Sequence, residues 1–481
     1  MLNTILIGYL VASLLLSAAQ IVNRNLTFCR TLVCLFVVMQ VALTAYLFAT
    51  PHIPTSFFQA DGLARLLVLV VTIISAAAFC HSRRYIKGQS IDNDAPVRAQ
   101  YYGAMSALTM ALTLASLSAH LAVTWIFVEI TTLSASALIF YRRTAMSIEA
   151  TWKYVFACSI SLVLVYVGIL LTSISMGNLV ELGLSFDILE SHAQELDPFW
   201  LKMAFTFIFV GYTAKMGLVP MFTAGIDAKD EAPTPAAAML SSVVMNAGFV
   251  GFFRFYAVLA KTEAFQWARM VVLITALISI FIATVYLVRV NNIKRLFAYS
   301  SVEHIGVVML GVAAGGVGLY AAILHLILHS FAKSAIFMHV GELFRLFGSK
   351  MLQHMGHYIR RSGFGAAIVI LALLCITAMP PSGMFVSELM VFKSLIDANL
   401  WWALIPTVIL LCIIVWAISR DTFAILFLPP IGQELVKPGT EGRFPIIEAT
   451  IQIILLALSI WWGLCTPSFV SELINLSVIG L

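Results

Sequence analysis

The stretch AFTFIFVGYTAKMGLVPMF, residues 204–222, reads as a membrane helix that holds a lysine and is broken by a proline. Lys215 stands inside the apolar run, and Pro220 follows five residues later. A lysine at the centre of a bilayer costs roughly 2.5–3.5 kcal/mol, so a chain that keeps one there has a use for it. Proline frees backbone groups that only a cavity or protein contacts can satisfy at that depth. A second broken segment, AMPPSGMFVSELMVFK at 378–393, carries Glu388 and Lys393 beside Pro380 and Pro381. Two interrupted helices, one in each half of a chain, point to a transport path near the midplane.

Composition agrees with that solvent. The chain is 61% hydrophobic and 11% charged, which excludes an ordinary soluble domain. Apolar runs of 18 residues or more recur along it. The reading is an all-α polytopic membrane protein of about fourteen spans, near 2–22, 31–50, 62–80, 101–119, 121–140, 154–175, 200–222, 233–259, 269–288, 299–316, 318–344, 364–395, 401–428 and 447–475. The first run lacks a positive n-region and is too long for a signal peptide, so it is read as a retained span.

Charge orients the spans. With the N-terminus outside, nineteen Lys and Arg fall in inside loops, Lys229 and Lys294 among them, against four outside at Arg65, Lys202, Lys261 and Arg269. That asymmetry is the positive-inside pattern and puts both termini on the outer side. The net charge of +5 is therefore an orientation signal, and no nucleic-acid surface is read from it.

No redox cofactor is expected in this chain. The seven cysteines are scattered singly, without the spacing of an iron–sulfur site. GVAAGGVG at 311–318 joins two membrane helices and lacks the preceding strand of a phosphate loop. Loops are short, so catalytic chemistry must come from partners, and no catalytic residue is assigned here.

A line of charged residues runs through the spans. Glu129 lies about mid-span in LAVTWIFVEITTLSASALIF, and Lys215 offers a partner within about 4–7 Å if they form a salt-bridging pair of neighbouring spans. Burial favours the neutral form of each and pairing favours the charged forms, so a pair whose separation changes is a proton switch. The alternative for Glu129 is a protonated interhelical hydrogen-bonder. In HLILHSFAKSAIFMHVGE, His325, His329 and Lys333 are spaced by four and line one helix face. The histidines suit proton passage through ordered water; the bland reading is two histidines bonded to backbone. A zinc site is not assigned, because Leu326 stands where a zincin needs glutamate and lysine extends the stripe. Glu388 and Lys393 fall on different faces, so one of them is expected on the path. Glu303, His304 and Ser241 are further candidates. The separation of Glu129 from Lys215, 86 residues, matches the 85 between Glu303 and Glu388, as an internal duplication would give. Arg254 and the Arg420–Asp421 neighbours read as structural ion pairs.

These residues carry a resemblance. VEITTLSASAL (128–138), EATWKY (149–154), GYTAKMGLVPMF with DAKDEAPTPAAAML (211–240), IKRLFAYSS (293–301), HLILHSFAKSAIF (325–337) and PPSGMFVSEL (380–389) are collinear with the antiporter-like membrane subunits shared by respiratory complex I, Mrp-type antiporters and energy-converting hydrogenases. The resemblance implies two inverted five-helix repeats, each with a broken helix. It places three helices in 1–100, a first repeat in 101–260, a second in 261–428 and a last loop and helix in 429–481. It maps the first proton-switching pair to Glu129 and Lys215, the span-eleven groups to His325, His329 and Lys333, and the exit to Glu388. Where the family usually has leucine–proline and histidine after the broken helix, this chain has Gly225, Ile226 and Lys229; where some members have a span-eight histidine, it has Ser241.

Glu303–His304 and MPPSGMFVSE look closest to hydrogenase-4 component F and formate-hydrogenlyase-type subunits. That branch implies a proton-translocating subunit in the cytoplasmic (inner) membrane of a prokaryote, lipid-embedded among other membrane subunits. Its soluble partners would be hydrogenase large and small subunits holding the iron–sulfur clusters and nickel–iron centre. The alternatives are a complex I subunit, an Mrp-type antiporter component, or a scaffold without transport.

Overall fold

Polar residues start several of the helices, and glycine ends some of them. Asp61 accepts from the Ala64 amide, Asp197 from those of Phe199 and Trp200 with Pro198 opening the helix, Asn292 from those of Lys294 and Arg295, and Ser382 from that of Phe385. Such caps leave long apolar runs to propagate between them, because helix is the way to satisfy every amide inside lipid.

The computed structural model describes residues 2–23, 25–50, 57–86, 95–431 and 446–478. Arg24, Lys87, Lys437 and Arg443 of the charge count lie outside the described residues. In chain order the helices are α1 (Leu2–Val22), α2 (Leu26–Ala49), α3 (Gly62–Tyr85), α4 (Ala95–Leu117), α5 (Leu121–Ile139), α6 (Ala145–Met176), α7 (Phe186–Ser191), α8 (Pro198–Met216), α9 (Thr223–Glu231) and α10 (Thr234–Ser241). They continue with α11 (Val243–Ala260), α12 (Phe265–Arg289), α13 (Ile293–Ala314), α14 (Val317–Phe347), α15 (Tyr358–Arg361), α16 (Gly363–Ile376), α17 (Gly383–Asp397), α18 (Trp401–Phe427), α19 (Ile446–Leu464) and α20 (Ser468–Val478). Among the described residues β structure is limited to isolated bridges, and eleven helices are long and apolar enough to cross a membrane. The chain is an all-helical integral membrane protein.

Three expected spans take a different form. The one near 200–222 stops at Gly217, whose φ of 80° is a left-handed cap that glycine adopts without strain, and α9 resumes at Thr223. That near 364–395 divides into α16 and α17, of 14 and 15 residues, across Thr377–Ser382. The last, 447–475, ends at Leu464 and is followed by the separate α20. Both expected interruptions contain a cis peptide bond, at Val219–Pro220 and Pro380–Pro381.

Two compact units result: residues 1–236, 243–271 and 468–481, and residues 237–242 with 272–467. Within the first, α6 packs along α5 and α8, and α11 along α8. Within the second, α14 is central, bordered by α13, α17 and α19. The most apolar stretches of α13 and α14 are wholly buried, so their charged residues face protein.

Candidate functional site

In the first unit Lys215 closes the last turn of α8, 3% exposed. Its stem lies where α11 has no side chain: a Cβ on Gly248 would stand 2.8 Å from Lys215 Cβ. The Nζ donates to Thr131 Oγ1 of α5 at 3.2 Å and to Tyr154 OH of α6 at 3.1 Å, and lies 5.2 Å from the centre of the tyrosine ring. Thr131 spends its own proton on the Val128 carbonyl at 2.6 Å, which leaves its oxygen free to accept. Glu129 is half-buried on α5 and accepts from Ser159 and Thr132, each at 3.2 Å. Glu129 and Lys215 therefore hold separate partners on the same two helices. Among the described residues they form no ion pair with each other.

The second unit gathers more than the spacing of α14 suggested. His325, His329 and Lys333 are buried on α14, and His304 of α13 is the hub that the two histidines converge on. His304 Nδ1 lies 3.2 Å from His325 Nε2, 3.3 Å from Glu303 Oε1 and 4.0 Å from Glu388 Oε1. Its ring centre is 5.3 Å from those of both His325 and His329. The other nitrogen of His325 meets Ser387 Oγ of α17 at 2.9 Å, so the broken segment after Pro381 places Ser387 and Glu388 against the histidines together. Lys333 donates to the Phe297 carbonyl at 3.1 Å and to Ser300 Oγ. Ser241 pairs with Ser301 at 2.9 Å, and Ser242 with Ser334 at 3.0 Å, next in sequence to Ser300 and Lys333.

Lys393 is exposed and Glu388 is buried, on different faces as their spacing of five predicts, and Lys393 takes no part in this cluster. Two expectations for loop lysines change. Lys229 and Lys294, assigned to loops, are 3% and 1% exposed. Their segments look polar in sequence, but α9 and the start of α13 fold into the protein. Lys229 Nζ stands 3.4 Å from Met245 Sδ. The only sequence signal for its burial was the small-residue run beyond it, APTPAAAM. Arg254 pairs with Asp61 at 3.0 Å and Arg420 with Asp421 at 2.7 Å, as structural ties.

Sequence reasoning also passed over His339. Its Nδ1 meets Gln452 Oε1 at 2.8 Å and its Nε2 meets Tyr358 OH at 3.1 Å. Nearby, Arg345 bridges Glu342 and the buried Glu448. Gln452 and Glu448 come from α19 and Tyr358 from α15, remote in sequence, whereas Glu342 lies one turn away on α14.

The chain thus gathers two sets of ionisable side chains within its helices, and residues 118–414 match the family described as NADH:quinone oxidoreductase/Mrp antiporter, TM. The chain belongs to that family. Among family members, it is 31% identical over 347 residues to the hydrogenase-4 component F homolog of Methylacidiphilum infernorum (isolate V4), covering 71% of this chain and 73% of that protein. It is 26% identical over 382 residues to NADH-quinone oxidoreductase subunit N of Thioalkalivibrio sulfidiphilus (strain HL-EbGR7), covering 78% of each. Its fold matches a chain of the membrane-bound sulfane sulfur reductase, an archaeal respiratory membrane complex, with a TM-score of 0.83 at 19% identity, over 99% of this chain and 97% of the other. This antiporter-family chain is thus a membrane subunit with the family fold.

Proposed function

We propose that the chain translocates protons as one membrane subunit of a respiratory-type complex in a prokaryotic inner membrane, with redox centres confined to partner subunits. The observation that carries this reading is the His304 hub, where His325 and Glu303 stand 3.2 and 3.3 Å from His304 Nδ1 and Glu388 stands 4.0 Å from it, inside the helices of the second unit. Imidazole and carboxyl groups exchange protons readily at physiological pH, whereas a purely structural core would bury apolar contacts instead. Glu129 and Lys215 serve the first half as the switching pair, and His325, His329, Lys333, His304, Glu303 and Glu388 serve the second. Ser241 and Ser301 extend the second set. A bilayer core of about 30 Å exceeds what a single stripe on α14 spans, so water beside the two broken segments completes the route.

The hydrogenase-4 branch is favoured, because the matched hydrogenase-4 component F homolog shares 31% identity against 26% for the matched subunit N. On this branch the partners are hydrogenase large and small subunits and further membrane subunits. The alternative branches are an NADH/quinone oxidoreductase and an Mrp-type antiporter.

The test is purification of the intact complex followed by dye-monitored proton movement in proteoliposomes. Co-purification of a nickel–iron large subunit supports the favoured branch, and flavin and NADH-oxidising subunits support the complex I branch. A complex that completes redox turnover with no proton movement overturns the reading.

A further inference from the structure

The ligand atoms His304 Nδ1, His325 Nε2 and Glu388 Oε1 all lie within 4.8 Å of one another on three different helices. The first two are 3.2 Å apart, close to the separation of about 3.3–3.4 Å between tetrahedral ligands bonded to zinc at 2.0–2.1 Å. Hydrogen bonds fix how they face. Ser387 donates its hydroxyl proton to the Met384 carbonyl at 2.9 Å, so toward His325 Nδ1 it can only accept. His325 therefore carries its proton on Nδ1 and turns the Nε2 lone pair toward His304. This is the arrangement in which an outer hydrogen bond sets the tautomer of a metal-binding imidazole. Glu303 Oε1, 3.3 Å from His304 Nδ1, stands beside the group without joining the three mutually close ligand atoms. Two imidazoles and one carboxylate make a borderline set of the kind that takes zinc, and Glu303 adds negative charge beside it. The pair whose nitrogens meet is His304 with His325, on two helices, and not the H-x-x-x-H pair of α14 for which no zinc site is assigned.

We infer that His304, His325 and Glu388, with Glu303 beside them, form a binding site for a divalent transition cation of the zinc type. The cation takes the place of the proton that His304 Nδ1 shares with His325 Nε2, and that proton is relocated to His304 Nε2, so both imidazoles bind as neutral ligands. Glu388, 8% exposed, is the member through which the cluster reaches the surface. Lys333, held by Ser300 and the Phe297 carbonyl on the same stripe, is the positive charge that opposes occupancy. Binding stands on geometry alone; that the bound cation stops transport rests on the proposed proton route.

The probe is Zn²⁺ added to the intact purified complex after a chelator wash. Metal retained per chain is compared in the parent, His325→Gln, Glu388→Gln, Ser387→Ala and Lys393→Gln. The parent should retain one Zn²⁺ more than His325→Gln or Glu388→Gln, with X-ray absorption showing only nitrogen and oxygen neighbours. Ser387→Ala keeps every ligand and loses only the orienting bond, so its affinity should fall about 10–100-fold. Lys393→Gln should bind as the parent does. Equal retention in all variants, or sulfur in the coordination shell, overturns the site. If a ligand variant fails to assemble, Ser387→Ala still decides. Zn²⁺ should also slow proton movement in proteoliposomes, and Ser387→Ala should blunt that effect. Site-specific binding with unchanged proton movement leaves the metal site standing and removes this cluster from the proton route.

Discussion

His304 Nδ1 of α13 and His325 Nε2 of α14 are 3.2 Å apart, and the far side of His325 is tied to Ser387 on α17. Three helices thus meet through one imidazole pair. In the proposed route His304 is the group through which α14 communicates with Glu388. His304→Gln keeps volume and polarity but cannot exchange protons in the same range. We expect proton movement per electron to fall about 10²-fold, the scale on which a positioned acid–base group acts. The measurement is proton uptake during redox turnover in proteoliposomes, with subunit composition confirming assembly.

Lys215 and Glu129 lie on separate partners, so each can be tested alone. Lys215→Ala and Glu129→Ala should each uncouple redox turnover from proton movement while the complex still assembles. Tyr154→Phe retains the lysine and deletes one acceptor of its ammonium, an interaction worth about 1.5–3 kcal/mol for a charged group. Its effect on pumping should fall between the parent and Lys215→Ala. Normal pumping in Lys215→Ala would remove the residue from the route.

Lys229 is buried with its Nζ against the Met245 sulfur, and no carboxylate stands within 4.0 Å among the described residues. A buried amine without a counter-charge is costly to keep. Both Lys229 and Lys215 lean on one turn of α11, the former on Met245 and the latter on Gly248. Lys229→Met should therefore raise the thermal midpoint of the complex and lower its pumping, the trade expected where a strained site serves function. A fall in both would mark the lysine as structural.

How much of this was legible depended on distance along the chain. Lys215, Glu388 and the stripe on α14 could be read because a charge in an apolar run stands out, and helical spacing of four needs no tertiary knowledge. Both interruptions were readable for the same reason, since Pro220 and Pro380–Pro381 act locally. What could not be read is which side chains meet. His304 belongs to a different helix from His325, and Ser387 is 62 residues beyond it. Burial of Lys229 and Lys294 was hidden because short polar segments next to membrane helices look like loops whether or not the protein folds over them. His339 gave no periodic signal toward its partners, Tyr358 and Gln452.

Those partners give a stability prediction. The Gln452 Oε1 contact places a proton on His339 Nδ1, so Nε2 accepts from the Tyr358 hydroxyl. Burial holds that phenol well above its ordinary range, which keeps it a donor. Tyr358→Phe leaves a buried nitrogen without its donor and should cost about 1–3 kcal/mol. Thermal unfolding of the complex in detergent reads this directly, and proton movement per electron should be unchanged.

The last prediction concerns the ion. A hard cation such as sodium is held by several oxygen ligands from carboxylates, carbonyls and water. Neither buried set offers that. Around Lys215 stand one threonine and one tyrosine, and the lysine itself repels a cation. Around His304 the donors are two imidazole nitrogens and two carboxylates, with Lys333 on the same stripe. Imidazole and amine groups instead exchange protons, and moving one charge against 100 mV takes about 2.3 kcal/mol. That is within reach of making or breaking one partly hydrated ion pair. Redox turnover should therefore acidify or alkalinise proteoliposomes equally with sodium or potassium as the only salt, and a protonophore should collapse the gradient. A gradient that requires sodium and survives the protonophore would assign the ion to sodium instead.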